Sequence, residues 1–121
     1  LGLKNLKYHV TVPSDKIEYY FAKSKLLVMT SLFEGFPNVF LQAGKYGVPL
    51  LTTNINPDGF ITNFDCGAVC GDSIDELDEN MKNILRDDLM REKFSKNILK
   101  YIADHHDVDR IIENLLPYLN D

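Results

Sequence analysis

The residues of this chain best placed to do chemistry lie between two apolar runs. Thr30, Ser31 and Glu34 come first, followed by Gly35, Phe36, Pro37, Asn38 and Val39. Gly35 lets the backbone approach a ligand closely or take a positive φ. Pro37 suits the first turn of a helix, where its missing N–H costs nothing. Free N–H groups and the positive end of such a helix favour an anion such as a phosphate. The plain alternative is a βα turn with a solvated glutamate. Other candidate clusters are weaker. Cys66 and Cys70, the only cysteines, lack the second pair that a zinc site needs, and read as reduced apolar residues in or beside a strand. His105-His106-Asp107 with Asp109 could suggest a metal, but reads as a helix break with both histidines solvated and Asp107 or its neighbour capping the last helix. His9 reads as a partly exposed strand residue. No metal site is expected.

The elements that must position the loop follow from the apolar pattern. Leu26–Met29 is a continuous apolar run of strand length, suited to burial on both faces. A helix over about Pro37 to Tyr46 turns Val39, Phe40 and Ala43 inward, and Gly47 is a natural residue to end it. Val48–Thr53 is a second buried strand with Pro49 near its start. A loop at the carboxyl end of a parallel strand, feeding a helix, is where open α/β sheets bind ligands.

Upstream, Leu6–Val12 alternates and predicts a strand. Pro13-Ser14-Asp15 opens a helix capped by Asp15, with Glu18 completing a capping box, or by Ser14. Ile17, Tyr20, Phe21 and Ser24 share one helical face. Downstream, Asn54–Gly59 is dense in turn formers. Gly67–Cys70 is a last short strand. Ser73 with Glu76 caps a helix carrying Ile74, Leu77, Met81, Ile84 and Leu85. Asp87 or Asp88 caps the next, with Leu89, Met90, Phe94, Ile98, Leu99 and Ile102 inward. A final helix is predicted over Val108–Leu119.

The 121 residues suit one domain that buries roughly two-thirds of its unfolded surface. A composition 45% hydrophobic and 26% charged is ordinary for a globular chain. The net charge of −5 argues against non-specific nucleic-acid binding. No apolar run approaches the roughly 20 residues that span a bilayer. The chain opens at Leu1 without a Met, and is read as a fragment.

Glu34-Gly35-Phe36-Pro37-Asn38-Val39-Phe40-Leu41-Gln42-Ala43, with Tyr46-Gly47-Val48-Pro49 behind it, resembles the donor-site signature of the retaining GT-B glycosyltransferases of family 4. That pattern runs Ser, spacer, Glu-Gly-Phe-Pro, a helix with a second Glu eight positions after the first, then Gly-x-Pro and a strand. The second Glu is Gln42 here, and the family's Gly near Val10 is absent. The resemblance covers nearly the whole chain. It implies an α/β, Rossmann-like parallel sheet with flanking helices, in which residues 1–121 are part of the C-terminal nucleotide-sugar-binding domain. Of a sheet ordered 3-2-1-4-5-6, the chain would supply strands 3, 4, 5 and 6. The strand over 6–12 is then expected to pair with 26–30, or two copies to pair edge to edge.

For the site, the resemblance implies that Glu34, the catalytic-site carboxylate, contacts hydroxyls of the donor sugar. Charge-assisted hydrogen bonds of that kind are roughly twice as strong as neutral ones. Backbone N–H groups around Phe36, Asn38 and Val39 would meet sugar and phosphate. Pro37 has no N–H to give. Gln42 replaces the Glu that usually holds the ribose diol, and its amide can still accept and donate one hydrogen bond each; a half-buried amide bonded to protein is the alternative. Ser31 and Thr30 either line the pocket or serve the turn. Gly59 and its neighbours either meet the phosphates or belong to a helix-start turn capped by Asp58. The donor is a nucleotide sugar, used as substrate without cofactor or metal. The acceptor, a glycan or lipid-linked sugar, is read by an N-terminal domain outside this chain. The setting implied is polysaccharide biosynthesis in the cytoplasm, with peripheral attachment at the inner face of the membrane as the open alternative. The family's catalytic Arg and Lys follow strand 1, so no turnover is expected from this chain alone. A noncatalytic nucleotide-sugar- or protein-binding module is the rival reading. A receiver-like domain lacks the acidic cluster it would need.

Overall fold

Leu50, Leu51 and Thr52 are all buried, and they form the middle strand of a parallel sheet. The computed structural model describes residues 3–32, 35, 37–106 and 116–118. Its three strands lie in the order β1 (Leu27–Met29), β2 (Leu50–Thr52) and β3 (Gly67–Val69). Leu50 pairs with Leu27 on one side and Gly67 on the other. The helices are α1 (Ser14–Lys23), α2 (Asn38–Lys45), α3 (Phe60–Asn63, entered through a 3-10 turn at Pro57–Gly59), α4 (Ile74–Arg86) and α5 (Asp88–His105). The chain is therefore α/β, with a parallel sheet flanked by helices. Its strand order matches that expected of the last three strands of a Rossmann-like sheet.

Alternate residues of a strand point to opposite faces, and this divides the core in two. Leu50, with Leu27, Met29 and Val69, packs against Phe21, Phe40, Ala43, Phe60, Ile61, Ile98 and Tyr101. Leu51, with Leu26 and Ala68, packs on the other face against Leu77, Met81, Ile84, Met90 and Phe94. Helix α5 belongs to both cores because it crosses the amino ends of the strands. There Asn97 Nδ2 donates to the Asp65 carbonyl at 2.9 Å, and Lys93 pairs with the Asp65 carboxylate at 2.6 Å. The opposite, carboxyl edge is left to loops.

The helix ends follow local rules. Ser73 Oγ accepts the Glu76 N–H at 3.1 Å, and Asp87 Oδ1 accepts the Met90 N–H at 3.0 Å, as the sequence predicts. Helix α2 ends in a Schellman motif: Val48 N–H bonds the Ala43 carbonyl and Gly47 N–H bonds that of Gly44, with Gly47 at φ 70°.

Several expectations fail. Residues 6–12 form no strand, and β1 has β2 as its only strand neighbour among the described residues. Leu6, Tyr8 and Val10 are exposed there. Alternation is a local signal, but a strand needs a neighbour to take its hydrogen bonds. Helix α1 is preceded by Pro13 as N-cap without a side-chain cap, so Ser14 and Asp15 lie inside its first turn. Tyr20 is exposed and stands against the equally exposed His9, the ring centroids 5.4 Å apart. Ile74, Leu85, Leu89 and Leu99 also face solvent. Each sits at an edge of its apolar stripe, where helical spacing alone does not tell a core position from a flanking one. The predicted helix over Val108–Leu119 lies outside the described residues, except for a helical turn at 116–118.

Helix α5 breaks at His106, as predicted, but only His105 is exposed. His106 is half-buried, with Nε2 3.0 Å from the Tyr101 hydroxyl. Tyr101 stacks on Phe60 at 4.7 Å between ring centroids. Burial, then the neighbouring His105, holds the His106 imidazole below its ordinary 6.5.

Two predictions follow from this packing. A Cβ at Gly67 would overlap the Leu50 carbonyl, whereas one at Gly71 (φ 68°) would meet nothing within 4 Å. Gly67→Ala should therefore cost about 3 kcal/mol in urea unfolding, and Gly71→Ala only about 1 kcal/mol. Equal losses would refute the close approach of β3 to β2. Because the fold favours neutral His106, the unfolded chain binds its proton more readily. Stability should fall as the pH drops below 6.5, and His106→Gln should flatten that slope; an unchanged slope would assign it to other groups.

Candidate functional site

The carboxyl edge of the sheet gathers three chain segments. Thr53 N–H bonds the Met29 carbonyl at 3.1 Å, and Gly71 N–H bonds the Thr53 carbonyl at 2.6 Å. The loops after β1, β2 and β3 thus leave the sheet side by side. Thr30 is exposed and Ser31 half-buried at the end of β1. Glu34 and Phe36, two of the predicted site residues, lie outside the described residues. Gly35 is exposed, and a Cβ there would meet nothing within 4 Å.

Pro37 is buried and serves as the N-cap of α2, one position earlier than the sequence suggests. Its φ of −65° is the value its ring imposes. Asn38 and Val39 are therefore the first two helical residues, whose N–H groups precede any intrahelical acceptor. Helix α2 has neither a side-chain cap nor an acidic residue in its first turn. Nothing in that turn offsets the positive end of the helix. Gln42 is one turn further on and half-buried, beside the buried Phe40 and Ala43. The opposite face of α2 is pressed onto α5, where a Cβ at Gly44 would come 2.8 Å from Ile102.

The second wall is the loop between β2 and α3. Phe40 and Phe60 lie 5.9 Å apart between ring centroids, which sets the first turn of α2 beside the first residue of α3. Thr52, at the end of β2, is buried and its hydroxyl donates to the Ile55 carbonyl at 2.7 Å. Asp58 and Gly59 are consecutive left-handed residues, at φ 53° and 68°. The conformation costs little for Gly and is tolerated by Asp better than by most residues.

Asp58 does not cap α3. Asn56 does so from further back, its Oδ1 accepting the Ile61 N–H at 2.9 Å. Gly59 N–H bonds the Asn56 carbonyl at 2.9 Å and Phe60 N–H bonds that of Pro57. Sequence reasoning missed Asn56; the available signal was an Asn-x-x-Gly spacing within a run of turn formers. It also missed Tyr101, although Phe94, Ile98 and Tyr101 share a helical face. Burial, then Asp58, pushes the Tyr101 phenol upward, so it stays protonated.

The remaining clusters add no ligand set. Cys66 and Cys70 are free and buried, as expected, and burial pushes the Cys66 thiol up to about 12. Among the described residues no group of His, Cys, Asp or Glu could hold a metal ion, and no helix is long and apolar enough to cross a membrane.

Comparison with known proteins agrees with this architecture. The amylovoran biosynthesis glycosyltransferase AmsD of Erwinia amylovora is 24% identical over 113 residues, covering 82% of this chain and 30% of that protein. The O-antigen chain mannosyltransferase B of Escherichia coli is 28% identical over 88 residues, covering 72% of this chain and 23% of that protein. The chain thus spans less than a third of either relative. A family model described as glycosyl transferases group 1 matches residues 1–101. With that match running from the first residue through most of α5, the chain belongs to the glycosyl transferases group 1 family.

Proposed function

We propose that this chain is the donor-binding part of a retaining GT-B glycosyltransferase, which moves a hexosyl group from a nucleotide sugar to a glycan or lipid-linked acceptor. The observation that carries the reading is the start of α2. It stands at the carboxyl edge of a parallel sheet without a capping side chain or an acid in its first turn. It also follows a Ser31…Glu34-Gly35-Phe36-Pro37 loop in a glycosyl transferases group 1 chain. In this reading Glu34 accepts hydrogen bonds from donor-sugar hydroxyls, and the Asn38 and Val39 N–H groups face the diphosphate. Gln42 takes the ribose with a neutral amide, a weaker contact than a carboxylate makes. No metal is required. The acceptor is held by a domain beyond this chain, and the parent works in the cytoplasm or at the inner face of the membrane. The names of the relatives favour polysaccharide assembly as its setting.

Gln42 also favours a second reading, a module that kept the fold and lost the chemistry. The intact parent should bind one class among UDP-, GDP- and ADP-sugars, mannose donors included. Glu34→Ala should weaken that binding about ten- to a hundredfold, the loss of one or two charge-assisted hydrogen bonds. Gln42→Glu should keep or raise both binding and transfer. Calorimetry and a transfer assay would decide the matter: no binding to any donor, or no transfer with either residue at 42, would favour the noncatalytic module.

A further inference from the structure

We infer that Asn56 is a positioning residue for the donor site, an inference that rests on the reading proposed above. Both polar atoms of its side chain are engaged. Oδ1 accepts the Ile61 N–H at 2.9 Å, and Nδ2 donates to Thr62 Oγ1 at 3.1 Å. The Thr62 hydroxyl in turn donates to the Gly59 carbonyl at 3.1 Å, and the Gly59 N–H returns to the Asn56 carbonyl at 2.9 Å. The result is a closed ring of three hydrogen bonds through Asn56, Thr62 and Gly59, with the Ile61 N–H as a fourth bond to Asn56, around the left-handed pair Asp58 and Gly59.

The ring has a consequence for recognition. The N–H groups of Gly59, Phe60 and Ile61 already donate to the Asn56 carbonyl, the Pro57 carbonyl and Asn56 Oδ1, respectively. The loop therefore does not offer this run of N–H groups to a diphosphate. It serves as a wall of set shape, linked to α2 through the Phe40–Phe60 ring contact. Asn56 sets the position of that wall and touches no reacting atom. Loosening the ring lets the wall move, and a site misplaced by an ångström loses binding geometry.

The test uses the intact glycosyltransferase. Asn56→Ala should raise the KM and Kd for the nucleotide sugar about tenfold while the acceptor KM stays within about twofold. Asn56→Asp, which keeps the oxygen facing the Ile61 N–H but loses the Nδ2 donor to Thr62, should recover part of the loss. Thr62→Val, isosteric but without the hydroxyl, should reproduce it and covers the case in which Asn56→Ala does not fold. A lowered melting temperature with donor and acceptor constants unchanged would make Asn56 purely structural and overturn the inference. If the unmodified enzyme binds no nucleotide sugar, the functional reading fails first; if it binds and the variants bind equally, only the role of Asn56 fails.

Discussion

Everything in this molecule depends on the burial of β2 from both sides. Leu50 faces one core and Leu51 the other, and both are fully buried. A strand covered on both faces must be flanked by strands and roofed by helices, because its backbone groups have no water to turn to. Gly67 shows how tight the arrangement is, since only a residue without a side chain fits against the Leu50 carbonyl. The two cores supply the apolar burial, and the parallel ladder aligns the three carboxyl ends.

Helix α5 explains why one edge of the sheet is closed by a helix and the other is left to loops. It runs across the amino ends and contributes Phe94 to one core, and Ile98 and Tyr101 to the other. Its Asn97 ties the turn before β3. Arg91 fastens the corner with α4 by donating to the Ile84 carbonyl at 3.0 Å. With that end closed by a helix, the carboxyl edge is left to loops, one of which also sends Ile55 into the core. Binding residues belong on such loops, carried by a rigid scaffold.

The carboxyl edge in turn shows two ways of ending a loop. Among the described residues, the turn into α2 leaves its first N–H groups without a side-chain acceptor. The turn into α3 saturates its own through Asn56. One suits contact with an anion, and the other suits holding a shape. Phe40 and Phe60 join the two helices through their rings.

The sequence by itself determined the parts of this protein that are settled within a few residues. Continuous apolar runs marked β1 and β2. Ser73, Asp87 and Gly47 marked helix ends, because a cap needs only a side chain and a backbone group within one turn. The ordered Glu-Gly-Phe-Pro stretch marked the family. Tertiary structure decided the rest. Residues 6–12 have the alternation of a strand but, among the described residues, no strand beside them, since pairing is a property of two segments and not of one. Leu89 and Leu99 have the spacing of core residues yet face water, while Tyr101 is buried, because the crossing of α5 sets which stripe meets the sheet. Asn56 rather than Asp58 holds the loop, because the left-handed turn at Asp58 and Gly59 folds α3 back over the earlier residue. Contacts inside one turn are written in residue types and spacing; contacts between turns depend on where the rest of the chain lies.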